Sequence, residues 1–431
     1  MWKEIQVCRV CKSEYFIPVF SLGMQVVKDF VTSPSDKSVR GPLDLVLCKE
    51  CTLLQLKHTF DQDYLYKHYW YKSGTSPTMI QELKDIVSNA TKLSNLKSGD
   101  VVLDIGANDG TLLRQYEKEG IVKVGFEPSN LWKNAQSEDT VIINNYFNYS
   151  DYVERFHEKK AKIITSIAMF YDLDDPNKFT EEIRRVLAND GVWIIQMNYL
   201  GLMIRNMGFD NICHEHVAYY SLKSIEYLLK KHKMEIFNVE LNNVNAGSFR
   251  LYVKYATDQT RPPNESNIAG LKREEERMGL SRPETFRQFG KDIHNVSAEL
   301  FEMISRLKED GNVVLIYGAS TRGLVILEHA GIGENLIEFA TDKNSDKWGK
   351  YLSGTGIRII PIEEYRKINP DYLLVLPYQY ANEIATQERD HLTNGGKLII
   401  PLPRPKVIGL EYLAGMNKTD VLKFTSGYDK I

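Results

Sequence analysis

The stretch that decides the fold is Val101-Val102-Leu103-Asp104-Ile105-Gly106-Ala107-Asn108-Asp109-Gly110-Thr111. Four of its first five residues are apolar, which indicates a buried strand, and the glycine-containing loop after them indicates a turn into a helix. We expect that helix to begin near Thr111. The spacing Gly106-x-x-x-Gly110 is not G-x-G-x-x-G, so the turn that cradles a dinucleotide pyrophosphate is not specified. A ligand with ribose and adenine but no phosphate fits this loop better.

Apolar strands alternate with amphipathic helices along the chain after this stretch. In the first series we predict strands at 123–126, 162–166 and 192–197 and helices at 130–135 and 176–187. In the second series we predict strands at 313–317, 337–341, 372–376 and 397–401 and a helix from about residue 323. A polar stretch at 258–282 is predicted to connect them. Such series form buried parallel sheets, so the fold class is α/β with two Rossmann-like parts.

Composition limits the kinds of partner that the chain can have. Its 431 residues are 43% hydrophobic and 26% charged, with a formal net charge of −3. No stretch reaches 18 apolar residues, and the first ten carry charges, so we predict neither a membrane anchor nor a secretory signal. These features predict a cytoplasmic protein of two or three domains. Without a basic excess to neutralise phosphates, we expect small-molecule partners, no nucleic acid and no membrane.

Four of the five cysteines form two C-x-x-C pairs near the N-terminus. Cys8 and Cys11 make the first pair and Cys48 and Cys51 the second, with 36 residues between the pairs. Paired C-x-x-C segments are typical of tetrahedral zinc sites, and thiols stay reduced in the cytosol, which disfavours the disulfide alternative. We predict a structural zinc ion, because four protein ligands leave no coordination position open for catalysis. The stretch between the pairs is predicted to contain short strands.

An acidic residue follows the next predicted strand. Glu127 lies 23 residues after Asp104, where a carboxylate can accept both ribose hydroxyls. The loop and this acid resemble the glycine-rich and acidic-loop motifs of class I S-adenosylmethionine methyltransferases; a nucleotide fold with another ligand, or none, is the alternative. Tyr146 and Phe147 could pack on adenine or belong to the core. The predicted cofactor contacts are Asp104, Gly106, Asn108, Asp109, Gly110, Thr111, Glu127, Pro128, Tyr146, Phe147 and Met169.

Two histidines, an acid and two tyrosines are concentrated in Cys213-His214-Glu215-His216-Val217-Ala218-Tyr219-Tyr220. If this run is extended, His214 and His216 share one face, whereas a loop could bring both together with Glu215. The spacing is not the H-E-x-x-H of helical zinc ligands, which disfavours a second metal site. Two structural histidines remain an alternative. A general base is the sharper hypothesis, because imidazole titrates near neutral pH and a carboxylate stabilises its cation.

Taken together, the motifs resemble those of the zinc-containing nucleotide-sugar C-methyltransferases, and the sequence is similar to the sugar 3-C-methyltransferases of deoxysugar biosynthesis. The resemblance covers about residues 5–405. It rests on the order of the cysteine quartet, residues 104–112, His214-Glu215-His216, Ala246-Gly247-Ser248-Phe249-Arg250 and Tyr317-Gly318-Ala319-Ser320-Thr321-Arg322-Gly323. The resemblance implies a zinc-binding domain at 1–70, a class I methyltransferase domain at 71–240 and a C-terminal Rossmann-like domain at 241–431 that binds the nucleotide-sugar.

The resemblance also implies the reaction and the residues that perform it. It implies transfer of a methyl group from S-adenosylmethionine to carbon 3 of a nucleotide-diphosphate 4-keto-6-deoxyhexose. In the His-Glu-His region, which includes His214, we expect His216 to remove the proton, Glu215 to orient or polarise, and Tyr219 or Tyr71 to donate toward the enolate oxygen. The predicted substrate contacts are Ser248, Arg250, Tyr317, Ser320, Thr321, Arg322 and Asp342.

The sequence departs from the family pattern at several of these positions. Many relatives have a histidine where this chain has Phe170-Tyr171, a tyrosine at Cys213, and Leu-Pro-Trp-Asn at Leu376-Pro377-Tyr378-Gln379. The second acid–base partner is therefore open, and Tyr171 is a candidate hydroxyl donor. The nucleotide and the sugar configuration are also open. The oligomeric state is open too, and the protein could be a monomer. A zinc-ribbon methyltransferase of RNA or protein and a scaffold without activity are the alternative functions.

Overall fold

The computed structural model describes residues 2–27, 30–36, 38–67 and 69–415. The predicted N-terminal and C-terminal domains each include positions outside these ranges, among them 416–431. Among the described residues, no helix combines the length and the apolar character that crossing a membrane requires.

The N-terminal part is built around a long antiparallel hairpin. Its strands β2 and β4 pair from Phe16↔Cys48 to Val26↔Arg40, so the predicted short strands are two long ones. A strand from the middle of the chain, Ala218–Tyr219, pairs with β5 and extends this sheet. In chain order the elements are β1 (Trp2–Glu4), β2 (Phe16–Val26), β3 (Phe30–Val31), β4 (Arg40–Cys48), β5 (Leu54–Leu56), β6 (His58–Phe60) and α1 (Gln62–Tyr66).

The middle part is a twisted sheet in which the predicted first strand is central. The strand order is β13-β14-β11-β10-β7-β8-β9, and β7 is parallel to both β8 and β10. The elements are α2 (Pro77–Ser94), β7 (Val101–Ile105), β8 (Val122–Phe126), α3 (Trp132–Ala135), β9 (Thr140–Ile143), α4 (Tyr149–Phe156), β10 (Ala161–Ile167), α5 (Pro176–Val186), β11 (Leu187–Asn198), α6 (Leu200–Arg205), β12 (Ala218–Tyr219), α7 (Leu222–Lys231), β13 (Met234–Asn242) and β14 (Ser248–Tyr255).

The helix predicted from Thr111 is wrong. The chain makes only one 3-10 turn, Leu113–Gln115, before Tyr116 adopts an extended conformation. Tyr116 is 4% exposed and packs in the core beneath the sheet. Only six residues separate this turn from β8, so the chain buries the tyrosine ring instead of completing a helix.

The middle sheet continues past the domain boundary that we predicted at residue 240. Strand β14 pairs antiparallel with β11 on one side and with β13 on the other. Because β14 is surrounded by strands of this sheet, we propose that the middle domain extends to about residue 256.

The C-terminal part begins with two helices and continues as a second parallel sheet. The predicted connector 258–282 contains the whole of the first helix. The second helix packs against β2 through Phe20 and Phe289, whose ring centroids lie 5.8 Å apart. The elements are α8 (Glu265–Met278), α9 (Pro283–Glu309), β15 (Val314–Tyr317), α10 (Thr321–Ala330), β16 (Phe339–Thr341), β17 (Tyr351–Leu352), β18 (Arg358–Ile360), α11 (Ile362–Ile368), β19 (Tyr372–Val375), α12 (Ala381–Gln387), α13 (Arg389–Thr393), β20 (Lys397–Ile400), β21 (Lys406–Ile408) and α14 (Leu410–Gly415).

The strand order of the second sheet is β21-β20-β19-β15-β16-β18-β17-β3, so a strand of the N-terminal part completes one edge. Strands β15, β16, β18, β19 and β20 are parallel where they pair. Ligands of such sheets bind at the carboxyl ends of the strands. In this chain the loops that follow β7, β8 and β10 and the loops that follow β15 and β16 line one shared cavity.

Candidate active site

The shared cavity lies between the middle and C-terminal sheets and has a volume of about 860 Å³. That volume lies within the range of small-molecule binding sites, which is about 300–1,000 Å³. The predicted residues on its wall are Tyr71, Asp104, Gly106, Asn108, Glu127, Pro128, Tyr146, Phe147, Met169, Glu215, His216, Tyr317, Ser320, Thr321, Arg322 and Asp342. Most residues predicted from distant parts of the sequence are therefore brought together here.

Glu127 forms the centre of the cofactor end of the cavity. Its carboxylate accepts the main-chain N–H of Asn108 at 2.7 Å through one oxygen and that of Ser129 at 2.9 Å through the other. These bonds hold the acid, which is 5% exposed, at the end of β8. Carboxylate oxygens have further lone pairs, so Glu127 can also accept the ribose hydroxyls of S-adenosylmethionine. The residues fit the cofactor that the sequence predicts.

Asp104 lies at the end of β7 beneath this site. Its carboxyl accepts a hydrogen bond from Thr165 at 2.6 Å. Burial raises the pKa of Asp104 to about 7, the Thr165 bond lowers it, and the nearby Glu127 carboxylate raises it.

Asp109, Gly110 and Thr111 do not line the cavity, although we predicted that they contact the cofactor. Asp109 accepts the main-chain N–H of Gly74 at 2.9 Å, and its other oxygen accepts the Thr111 hydroxyl. A Cβ at Gly74 would lie 2.9 Å from Thr111 Oγ1, so the close approach requires glycine. These loop residues hold the 69–76 segment, and that segment covers the cavity.

His216 lies on the cavity wall with its ring fixed on two sides. Its Nδ1 is 2.8 Å from the main-chain oxygen of Asn211, and its ring centroid is 4.1 Å from that of Tyr171. A carbonyl only accepts, so Nδ1 carries the proton and Nε2 keeps the lone pair. Burial and the Arg322 cation lower the pKa of His216 to about 3, which keeps the imidazole neutral.

Glu215 and Cys213 lie beside this imidazole. Possible ligand atoms of Cys213, Glu215 and His216 all lie within 4.8 Å of one another. The hydroxyl of Tyr66 donates to the main-chain oxygen of Glu215 at 3.0 Å. The structure thus brings a carboxylate close to the predicted base, as the sequence hypothesis requires. Cys213 is 1% exposed, as expected for a small core residue.

His214 lies away from the cavity, in contact with the N-terminal part. Its Nε2 is 3.1 Å from the main-chain oxygen of Gly41, and its ring packs on Phe60 with centroids 4.5 Å apart. The backbone turns between the two histidines, so they do not share a face. Tyr219 is also absent from the cavity wall, because it is held in β12 against β5. The placement favours structural roles for both.

Ser248 and Arg250 belong to the middle sheet and not to the nucleotide-sugar end of the cavity. Ser248 donates to the main-chain oxygen of Val244 at 2.9 Å. Arg250 donates to Glu82 at 2.7 Å and to Asp85 at 2.8 Å, and thereby attaches α2 to β14. Because these donors are already engaged, the structure favours a packing role over the predicted substrate contact.

The C-terminal end of the cavity is formed by the loop after β15. Gly318 has φ +87, and a Cβ there would lie 2.6 Å from Pro377, so only glycine fits. The side chain of Ser320 caps α10 by accepting the N–H of Gly323 at 3.2 Å. Asp342 accepts the N–H of Ala319 at 2.8 Å and contacts Lys347 at 3.0 Å. These contacts hold the loop against β16 and the start of α10.

Several residues that line the cavity were missed by sequence reasoning. They include the 69–76 segment apart from the predicted Tyr71, with main-chain groups of Tyr71 and Ser73 bound by Asn108, and the acids Asp172 and Asp210. Burial and the adjacent Glu215 raise the pKa of Asp172 well above its usual range. The aromatic run at 69–71 was a usable signal, whereas nothing local marks either acid as part of a site.

The four predicted zinc ligands form a separate cluster in the N-terminal part. All four sulfurs lie within 4.8 Å of one another, and the Cys8–Cys51 and Cys11–Cys48 pairs are 3.5 and 3.3 Å apart. Tetrahedral bonds of about 2.3 Å to zinc separate the sulfurs by roughly 3.8 Å, so the cluster fits Zn²⁺. Gln55 also donates to the Cys8 sulfur at 3.3 Å, an outer-shell contact common around metal thiolates.

A glycine loop after β7 and a buried acid, Glu127, after β8 are typical of one class of protein, and the middle domain belongs to it: the class I S-adenosylmethionine-dependent methyltransferases. Three family models match the chain: "Putative zinc binding domain" over 8–66, "Methyltransferase domain" over 78–237 and "C-methyltransferase C-terminal domain" over 243–403.

The chain belongs to the family of S-adenosylmethionine-dependent C-methyltransferases with an N-terminal zinc-binding domain. It is 30% identical over 417 residues to C-methyltransferase NovU of Streptomyces niveus, an alignment that covers 95% of this chain and 98% of NovU. The predicted family, zinc domain and enzyme class are thereby confirmed, and the scaffold alternative is wrong.

Solved structures match smaller parts of the chain. The PH0226 protein of Pyrococcus horikoshii is 16% identical with a TM-score of 0.35, over 46% of this chain and 99% of that protein. An S-adenosylmethionine-dependent methyltransferase of Clostridium acetobutylicum is 14% identical with a TM-score of 0.33, over 41% of this chain and 92% of that protein.

Proposed function

We propose that this enzyme methylates carbon 3 of a nucleotide-linked 4-keto-6-deoxyhexose. The observation that carries the proposal is that His216 lines the same cavity as Glu127 and the loop at Ser320 and Thr321. A C-methyltransferase needs a base, because a C–H carbon becomes nucleophilic only when its proton leaves. An imidazole with an available lone pair at this position meets that need.

His216 Nε2 would take the proton from carbon 3, while the C–H electrons form a double bond between carbons 3 and 4 and the carbonyl π electrons move onto the 4-keto oxygen. Burial keeps the imidazole neutral beforehand, and Glu215 would stabilise the imidazolium that forms. Tyr71 or Tyr171, both on the cavity wall, would donate to the enolate oxygen. S-adenosylmethionine, when bound, supplies an electrophilic methyl group. The 69–76 segment would exclude water from the closed cavity.

The nucleotide-diphosphate would bind at the start of α10. Main-chain N–H groups at a helix N-terminus favour anions, and Ser320 and Thr321 begin this helix. Asp342, at the end of β16, can accept hydroxyls of the nucleotide ribose. The cytoplasmic location and the boundary between residues 70 and 71 stay predictions from the sequence, and the oligomeric state stays open.

The direct test is product analysis. The enzyme is incubated with S-adenosylmethionine and dTDP-, GDP- or CDP-linked 4-keto-6-deoxyhexose, and the product is examined by mass spectrometry and NMR. We expect one of these sugars to gain one methylene, located at carbon 3. The matched 4-hydroxy sugar should stay unmodified, because its carbon 3 proton is not acidic. Methylation at oxygen or nitrogen, or methylation of RNA or protein instead, would contradict the proposal.

A further inference from the structure

The turn at Phe209–Asn211 connects the proposed base with the C-terminal domain. Asn211 is 1% exposed, and its main-chain oxygen receives the His216 Nδ1 proton at 2.8 Å. Because that bond sets the tautomer and orients the ring, the position of the turn determines where the Nε2 lone pair points.

Asp210, the preceding residue, is held by two groups of the C-terminal domain. One carboxylate oxygen accepts Arg322 Nε at 2.8 Å and lies 2.5 Å from Arg322 Nη2. The other accepts the hydroxyl of Tyr378 at 2.8 Å. Asp210 and Tyr378 are almost fully buried, and Arg322 is the second residue of α10. Charge-assisted bonds of this length in a dry setting are strong and directional.

We propose that Arg322 and Tyr378 are positioning residues for the proton-abstracting imidazole. They hold Asp210, Asp210 fixes the turn, and the Asn211 carbonyl of that turn orients His216. The C-terminal domain thus contributes to the deprotonation step as well as to sugar binding. This inference rests on the proposed function, in which His216 is the base, and it replaces the substrate contact that the sequence suggested for Arg322.

Electrostatics favours this role over diphosphate binding. Arg322 is already paired with the Asp210 carboxylate through Nε and Nη2, so much of its positive charge is neutralised before a diphosphate binds. Drawing Arg322 away would leave the Asp210 charge buried without its cation, and breaking buried ion pairs in this way is strongly unfavourable. The pair is therefore expected to persist when the nucleotide-sugar binds.

The same pair sets the electrostatic field at His216. The polar and charged groups around the imidazole are Tyr171, Cys213, Glu215 with the adjacent Asp172, and the Arg322–Asp210 pair. The Arg322 cation lowers the pKa of His216. Arg322→Met should therefore move the acidic limb of the kcat/KM profile to higher pH, whereas Asp210→Asn, which leaves the cation uncompensated, should move it to lower pH.

The experiment measures proton abstraction separately from methyl transfer. The full-length enzyme is placed in D2O with S-adenosylhomocysteine and the 4-keto-6-deoxyhexose nucleotide that it methylates, and deuterium uptake at carbon 3 is followed by NMR. Tyr378→Phe and Arg322→Met should slow the exchange by about tenfold or more, because small misplacements of a base are costly. Affinities for dTDP, GDP and CDP, measured by calorimetry, should change little, and Arg322→Lys should restore part of the exchange.

A matched control removes another ion pair from the same helix. Arg40 contacts Glu328 of α10 at 2.6 Å and joins the N-terminal and C-terminal parts, and neither residue lines the cavity. Arg40→Met should leave the exchange rate near that of the wild type, even where melting temperatures show that it weakens domain docking. If Arg40→Met and Arg322→Met slow the exchange equally, the slowing reflects weaker docking of the C-terminal part in general, and the proposal is overturned.

Two further outcomes separate this inference from the proposed function. If Arg322→Met weakens nucleoside diphosphate binding but keeps exchange at saturating sugar, Arg322 is a diphosphate ligand and the positioning role is wrong. If His216→Asn keeps normal exchange, the base assignment itself fails and the positioning role fails with it. If the wild type methylates without measurable exchange, kcat is compared instead for the wild type, Arg322→Met, Tyr378→Phe and Arg40→Met.

Discussion

Replacing His214 with alanine should weaken the fold without slowing the reaction. The imidazole is 3% exposed, bonds to the Gly41 carbonyl at 3.1 Å and packs on Phe60. Losing the hydrogen bond costs about 1 kcal/mol, and losing the buried ring costs roughly 2 kcal/mol more. The total, roughly 3 kcal/mol, corresponds to a melting shift of about 6–12 °C for a domain of this size.

His216→Asn should give the opposite result, although only one residue separates the two histidines. Removal of a general base lowers turnover by about 10²–10⁴-fold, or about 3–5 kcal/mol of transition-state stabilisation. The side chain faces a cavity, so asparagine should change the melting temperature far less than His214→Ala does. The pair of variants therefore separates a structural imidazole from a reacting one.

The assay combines thermal unfolding, calorimetric binding of S-adenosylhomocysteine and the initial rate of methyl transfer. Intact cofactor binding shows that each variant is folded at the temperature of the rate measurement. A loss of more than about tenfold in kcat for folded His214→Ala would refute its exclusion from the site. Near-normal turnover of His216→Asn would refute its role as the base.

Three further predictions concern stability and cofactor binding. Chelation of zinc, or Cys8→Ser, should lower the melting temperature, and added Zn²⁺ should reverse the effect of the chelator, because structural zinc supplies folding energy. Burial lowers the pKa of His214 to about 4, so its contribution to stability is present above about pH 6.5 and is lost as the pH falls toward 4. The free energy of unfolding should drop by on the order of 3 kcal/mol in that window. The variant His214→Asn should flatten this pH profile, measured by urea unfolding. Glu127→Gln should weaken S-adenosylhomocysteine binding by about 10–100-fold in calorimetry, since hydrogen bonds to a charged acceptor contribute about 1.5–3 kcal/mol.

Local patterns predicted much of the fold and part of the site. The strands at 101–105 and 162–166 could be predicted because apolar runs bounded by turns carry their own signal. Glu127 could be placed because the carboxyl ends of adjacent parallel strands must meet. The zinc ligands could be named from spacing alone, since two C-x-x-C pairs close one tetrahedral site.

The errors occurred where long-range packing overrides a local signal. The helix expected from Thr111 is replaced by a single turn, because burial of Tyr116 stabilises an extended conformation there. The motif at 246–250 was read as part of the sugar site, but Arg250 instead bonds to acids on α2. Neither outcome can be inferred from neighbouring residues, because the partners are distant in sequence.

The amino-acid sequence by itself determined the fold class, the zinc ligands, the acid proposed to bind the cofactor and the short run that contains the proposed base. Each depends on residue type and spacing within a local segment or between adjacent strands. Only the tertiary structure decided which histidine faces the cavity and that Asp210 joins Arg322 to the turn behind it. Those choices depend on how the backbone turns at 213–216 and on contacts between residues more than 100 positions apart, which a linear pattern does not encode.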